Sequence, residues 1–92
     1  MATPRFSLGR TVATPGAVAA LANNLQTEIS FLRRHQNGDW GDVDEQDRAA
    51  NNRAITEQER ILSAYRLLDG TRIWVITEAD RSSTCILLSE EY

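Results

Sequence analysis

Apolar residues recur at two different periods along this chain, and each period predicts a different kind of element. Over 1–14, Phe6, Leu8 and Val12 alternate with Arg5, Arg10 and Thr11, the pattern of a short leading strand or an extended arm. Thr14 followed by Pro15 marks a helix start, because a threonine hydroxyl caps free backbone amides and proline is tolerated in the first turn. Val18, Leu21 and Ala22 form one apolar stripe; Asn23 and Asn24 interrupt it. Thr27, Ile29, Phe31 and Leu32 resume a helical pattern through Arg33 and Arg34, which Asn37 and Gly38 should end. Two helices, or one bent helix, fit this stretch.

After the turn at 38–42, Asp44 is a good cap for a polar helix through about Ala54, whose few apolar contacts are Val43, Ala50 and Ile55. The stretch 60–68 reads both ways. Ile61, Leu62, Tyr65 and Leu68 suit a helix, for which Thr56 and Glu59 would form a capping box, but a strand is the better expectation. Asp69-Gly70 is a strong hairpin signal, and Arg72-Ile73-Trp74-Val75-Ile76-Thr77 is rich in β-branched and aromatic residues. That run reads as a central strand covered on both faces. A third strand, 84–88, returns after the polar loop 78–83. The expected fold is therefore α+β, with two or three N-terminal helices packed on one face of a C-terminal three-stranded antiparallel β-meander.

Composition narrows the choice of function. The chain has 92 residues, 41% of them apolar and 25% charged, with two prolines, which is the make-up of one small folded domain spanning 1–92. It contains no repeats and no linker. No run approaches the length of a membrane span, and the N-terminus lacks the basic flank and apolar stretch of a signal peptide, so a cytoplasmic protein without membrane contact is expected. A single cysteine, Cys85, excludes an internal disulfide framework, and a single histidine, His35, excludes a metal site built from several His and Cys ligands. The net charge of −3 opposes a broad phosphate-binding surface. All ten basic residues are arginine, a side chain suited to fixed, bidentate contacts with carboxylates.

Two polar clusters are candidates for function. Asp39, Asp42, Asp44, Glu45 and Asp47 place five acids and no base around Trp40. Such a patch can imitate DNA phosphates or bind an arginine-lined protein surface, with Trp40 as the aromatic anchor; otherwise the acids simply suit a helix dipole while Trp40 packs inward. Exposure of Trp40 separates the two. In the loop Glu78-Ala79-Asp80-Arg81-Ser82-Ser83-Thr84, Arg81 can grip a carboxylate or phosphate beside hydroxyls and backbone amides. The plainer reading has Asp80 and Ser82 bonding their own backbone while Arg81 pairs with a neighbouring acid.

Catalytic chemistry has little support. His35 near a helix end reads as solvated or capping, and Cys85 in an apolar strand as a buried, inert thiol, with no motif to pair them as a nucleophilic couple. No phosphate-binding glycine loop appears. We expect no enzyme activity and no cofactor.

Gly38-Asp39-Trp40-Gly41, Arg60-Ile61-Leu62-Ser63-Ala64-Tyr65, Trp74 through Thr84, Glu90-Glu91-Tyr92 and Val12 through Ala17 together span most of the chain. They resemble a family of small bacterial proteins carried on plasmids and integrated elements and labelled plasmid-related proteins or type I restriction subunit M proteins. The chain departs from that pattern at Cys85, where threonine is usual, and at Ser89, where proline is usual. An adenine methyltransferase needs a cofactor-binding domain and an Asn-Pro-Pro-aromatic motif, yet the prolines are Pro4 and Pro15, so methyl transfer is not expected. The resemblance implies a mobile-element protein associated with host defence systems. The expected function is a non-catalytic interaction module that binds a host protein or defence complex, with restriction and CRISPR systems as the candidate targets, through the acidic patch or the 78–84 loop. The alternative is a small DNA-associated factor using Arg5, Arg10, Arg33 and Arg34 as a local basic face. An open sheet edge is also a candidate for pairing as a homodimer.

Overall fold

The computed structural model describes residues 3–92, so the first two residues of the leading segment 1–14 lie outside the described residues. In chain order the elements are β1 (Arg10–Ala13), α1 (Pro15–Asn23), α2 (Glu28–Gln36), α3 (Glu45–Glu57), β2 (Ile61–Arg66), β3 (Arg72–Thr77) and β4 (Ser83–Leu88), followed by a 3-10 turn at Ser89–Glu91. The architecture is α+β, and 61–66 is a strand. No helix among the described residues is long and apolar enough to cross a membrane.

The helices start where side chains supply the missing acceptors. Thr14 accepts from the Ala17 amide, Thr27 from Ser30 and Asp44 from Asp47, each covering an otherwise unpaired N–H of a first turn. Asn24 to Thr27 separates α1 from α2, with Leu25 in the left-handed region at φ 54°. Asn37 and Gly38 end α2 as expected. The third helix runs past Ala54 to Glu57, and Thr56 lies inside it rather than capping a later helix.

The sheet corrects the expected meander. β2, β3 and β4 are antiparallel neighbours, but the order is β1-β4-β3-β2 and β1 pairs parallel with β4, making a four-stranded mixed sheet. The alternation of Phe6, Leu8 and Val12 is broken at Gly9, whose φ is +63° and where a Cβ would collide with the carbonyls of Arg81 and Ser82. The chain kinks there. Phe6 swings into the core beside Trp40, and only 10–13 remains as strand.

The expectation that β3 is covered on both faces holds only in part: on its outward face Ile76 is buried, whereas Trp74 is half-buried. Ile61 and Tyr65 of β2, Ile73 and Val75 of β3 and Ile86 of β4 share one face; α1 and α2 seal it with Ala17, Leu21 and Phe31. A second cluster joins Trp40, Ala54 and Ile61 with Phe6, Val43 and Ile55 where α3 packs along β2. The opposite face carries the apolar rows Leu62, Ile76, Cys85, Val12 and Ala64, Trp74, Leu87, aligned across the strands. None of these residues belongs to either core cluster. Tyr92 packs against Trp74 on that face, their ring centroids 4.6 Å apart.

Candidate functional site: an acid-rimmed open sheet face

The acidic segment is held against β2 by a close backbone approach. Gly41, at φ +74°, has no Cβ to strike the Ala64 carbonyl, so Trp40 and Asp42 reach the outer edge of β2. The Ala64 amide donates to the Trp40 carbonyl at 3.0 Å, and the Asp42 amide donates to the Ala64 carbonyl at 2.6 Å. This junction fixes what each candidate residue does.

Trp40 is only 1% exposed; it stacks on Phe6, meets the His35 ring edge-on and donates its indole N–H to Asn52 at 3.1 Å. It is a core residue, so the anchor role expected of it is withdrawn. Apolar neighbours on α3, β2 and the N-terminal arm bury more of the indole than an interface position would leave accessible. Asp39 turns away from the patch to accept from Arg34 at 2.7 Å, and that guanidinium bond holds its carboxyl below the usual range. Glu45 is exposed and near Arg48 at 3.9 Å.

Asp42, Asp44 and Asp47 are brought together. They form one wall of a groove of about 300 Å³ whose floor is Leu62, Ala64 and Trp74 and whose far end is Arg72. Asp44 is partly engaged as the cap of α3, and Asp42 is 3.7 Å from Arg66. The groove therefore combines negative charge with half-buried apolar and aromatic surface. Trp74, Leu62, Ala64 and Arg72 were missed as candidates, although apolar side chains at both parities of 72–77 signalled that two faces needed cover.

The 78–84 loop is a tight connection held largely by its own contacts. Asp80 accepts from the Ser82 amide at 3.0 Å, and its contacts with Ser82 hold its carboxyl below the usual range. Among the described residues Arg81 pairs with no acid. Its guanidinium donates to the carbonyls of Ala54 and Glu59, each at 2.7 Å, closing the open C-terminal end of α3. Glu78 pairs with Arg60 at 3.6 Å. None of Glu78, Asp80, Arg81 or Ser82 lines the acidic groove.

His35 is neither solvated nor a helix cap, contrary to expectation: it is 0% exposed. Its Nε2 meets Thr77 Oγ1 at 2.9 Å, Thr77 meets Thr84 Oγ1 at 2.7 Å, and Thr84 donates to the Leu8 carbonyl at 2.7 Å; Nδ1 meets Ser63 Oγ. This hydroxyl chain is sealed beneath the helices. Burial, with a smaller contribution from Arg81, lowers the His35 pKa to about 3. Cys85 lies on the opposite sheet face, so no Cys and His couple forms, and burial raises its thiol pKa.

Comparisons with protein-family models, with curated proteins and with solved structures match nothing.

Proposed function

We propose that this chain is a non-catalytic protein-binding module of a bacterial mobile element that works in the cytoplasm by covering a basic surface of a host protein or complex, with restriction and CRISPR complexes as the class of target. The mobile-element setting rests on the sequence resemblance. The observation that carries the binding reading is the helix-free sheet face around Trp74, rimmed along β2 by Asp42, Asp44 and Asp47. Carboxylates at the rim steer and orient an arginine- or lysine-bearing partner, while Trp74 and the aliphatic floor supply the desolvated centre from which interfaces draw most of their energy.

The test is capture from nuclease-treated lysate of a host carrying restriction and CRISPR systems, using the native chain and an Asp42→Lys/Asp47→Lys variant that spares the Asp44 cap. A stoichiometric defence-complex subunit, lost with the variant, is the expected result. Equal capture by the variant removes the acidic groove from the interface, and recovery of no defence subunit overturns the target class. Trp74→Ala should weaken a purified complex by about thirtyfold, the effect of losing a central aromatic anchor.

The second reading, a DNA-associated factor, draws on Arg5, Arg10 and Arg33, which make no ion pair among the described residues, whereas Arg34 is committed to Asp39. It requires duplex binding that weakens steeply with salt; absence of binding at low salt rejects it.

A further inference from the structure

The acid-rimmed groove carries opposite charges at its two sides. Gly41 bridges Ala64 on the outer edge of β2, so β2 lies between the Asp42 wall and Arg72 of β3, and two strand spacings, about 10 Å, separate their backbones. Arg72 faces Arg66 directly across β2 and β3, a placement in which like charges repel. Arg66 has Asp42 at 3.7 Å, whereas Arg72 has no carboxylate partner among the described residues. On the wall, Asp47 gives only its backbone amide to the α3 cap, and its carboxylate enters no ion pair among the described residues. An unpaired carboxylate and an unpaired guanidinium thus border the same apolar floor without meeting.

The protein itself shows which group suits a carboxylate beside an aromatic ring. The Arg34 guanidinium lies 4.5 Å from the centre of the Tyr65 ring and forks onto the Asp39 carboxylate at 2.7 and 3.4 Å. Tyr65 also lines the groove, and the floor repeats the combination with the half-buried Trp74 beside the aspartates of the wall. A planar guanidinium lies flat on an indole while donating sideways to carboxylates; an ammonium group is a compact, strongly hydrated charge that cannot fork in this way. The strip of Leu62 and Ala64 matches the aliphatic stem of such a side chain.

We propose that the groove is an arginine-reading site: an arginine of a partner protein lays its side chain over Leu62 and Trp74 with its guanidinium on Asp47, and a carboxylate borne by the same partner segment closes the Arg72 side. The inference deepens the reading of this groove as a protein-binding surface and rests on it. Charge complementarity selects the occupant. A lysine loses the stack and the fork, and a purely basic segment adds another cation to the opposed Arg66 and Arg72. A purely acidic segment, or the phosphates of a nucleic acid, meets the carboxylates of Asp42, Asp44 and Asp47 and is repelled. Only a segment that carries both signs, with an arginine as its cation, satisfies the two sides together.

The test is a nuclear magnetic resonance titration of the purified native chain at low salt with the blocked peptide acetyl-Gly-Arg-Ala-Glu-Gly-amide. Two relatives replace its arginine with lysine or its glutamate with glutamine. Saturable shifts of the Trp74 indole and of the Leu62 and Ala64 amides, with a millimolar dissociation constant, are expected. The lysine peptide should bind at least about fivefold more weakly and the glutamine peptide about threefold more weakly. Asp47→Asn should weaken the parent peptide about fivefold, and Arg72→Gln should erase the difference between the glutamate and glutamine peptides. Absence of shifts at about 10 mM peptide overturns the proposal, as does lysine bound as tightly as arginine. So does a native chain indifferent to the glutamate, or a glutamate preference that survives Arg72→Gln. These outcomes are distinct from those of the capture experiment. If the peptide fails while defence-subunit capture succeeds and is lost with Asp42→Lys/Asp47→Lys, the groove is the interface and its arginine specificity falls; if the peptide binds and capture yields no defence subunit, the arginine site stands and the target class falls.

Discussion

The proton inventory around His35 fixes its state. The Leu8 carbonyl can only accept, so Thr84 must donate to it, Thr77 must donate to Thr84, and His35 Nε2–H must donate to Thr77; Nδ1 is then the acceptor for Ser63. A neutral imidazole satisfies every member; a charged one keeps the Thr77–Thr84 chain but must reverse the bond with Ser63, and it is penalised by burial. Because the folded pKa of about 3 lies below the ordinary 6.5, the unfolded chain binds the extra proton first, and stability falls as pH drops from 6.5 toward 3. Urea melts should lose about 2 kcal/mol between pH 6.5 and about pH 4.5 from this group, and His35→Gln should flatten that slope, whatever its stability at neutral pH. Arg81 makes a different prediction. Replacing its guanidinium removes one donor from the Ala54 carbonyl, which keeps the backbone amides of Gln58 and Glu59, and breaks the clamp that ties it to the Glu59 carbonyl, so Arg81→Leu should cost roughly 1–3 kcal/mol in a chemical melt yet leave partner capture intact. Loss of capture in a folded Arg81→Leu chain would return the 78–84 loop to the interface.

At the scale of elements, α3 shows how a polar helix is kept. Its buried residues are Asn51 and Ala54, and Asn51 works as a substitute strand, giving β2 the paired amide bonds that a fifth strand would provide. Asn51→Leu should therefore destabilise the fold by about 1–3 kcal/mol and raise the exchange rate of the Leu62 amide above that of Ser63, which bonds inward to β3. Equal protection of the two amides would show that Asn51 does not close the edge. The caps at Thr14 and Asp44 were legible because each depends on one side chain and the next few backbone amides. The parallel addition of β1 was not, because its partner, β4, lies about seventy residues away and its length is set by the kink at Gly9.

For the whole molecule, the decisive feature is a two-layer build with helices on one side only. Charge on the rim and apolar surface in the middle predict association that is steered electrostatically. The association rate with a basic partner should fall by about an order of magnitude between low and physiological salt, with a smaller change in dissociation rate. A rate independent of salt would remove the carboxylates from the encounter.

By itself the sequence determined the helix starts at Thr14 and Asp44, the helix end at Asn37-Gly38, the strand 72–77, the turn at Asp69-Gly70 and the concentration of acid in 39–47, because these follow from local periodicity and short-range hydrogen bonding. Only the tertiary structure decided that Trp40 is core and Trp74 half-buried, that Arg81 bonds the carbonyls at the end of α3, that His35 is sealed, and that the β2 edge is closed. Aromatic and charged side chains read alike in sequence whether they face solvent or the interior. Their surroundings are set by contacts between residues tens of positions apart, and those contacts exist only once the sheet has formed.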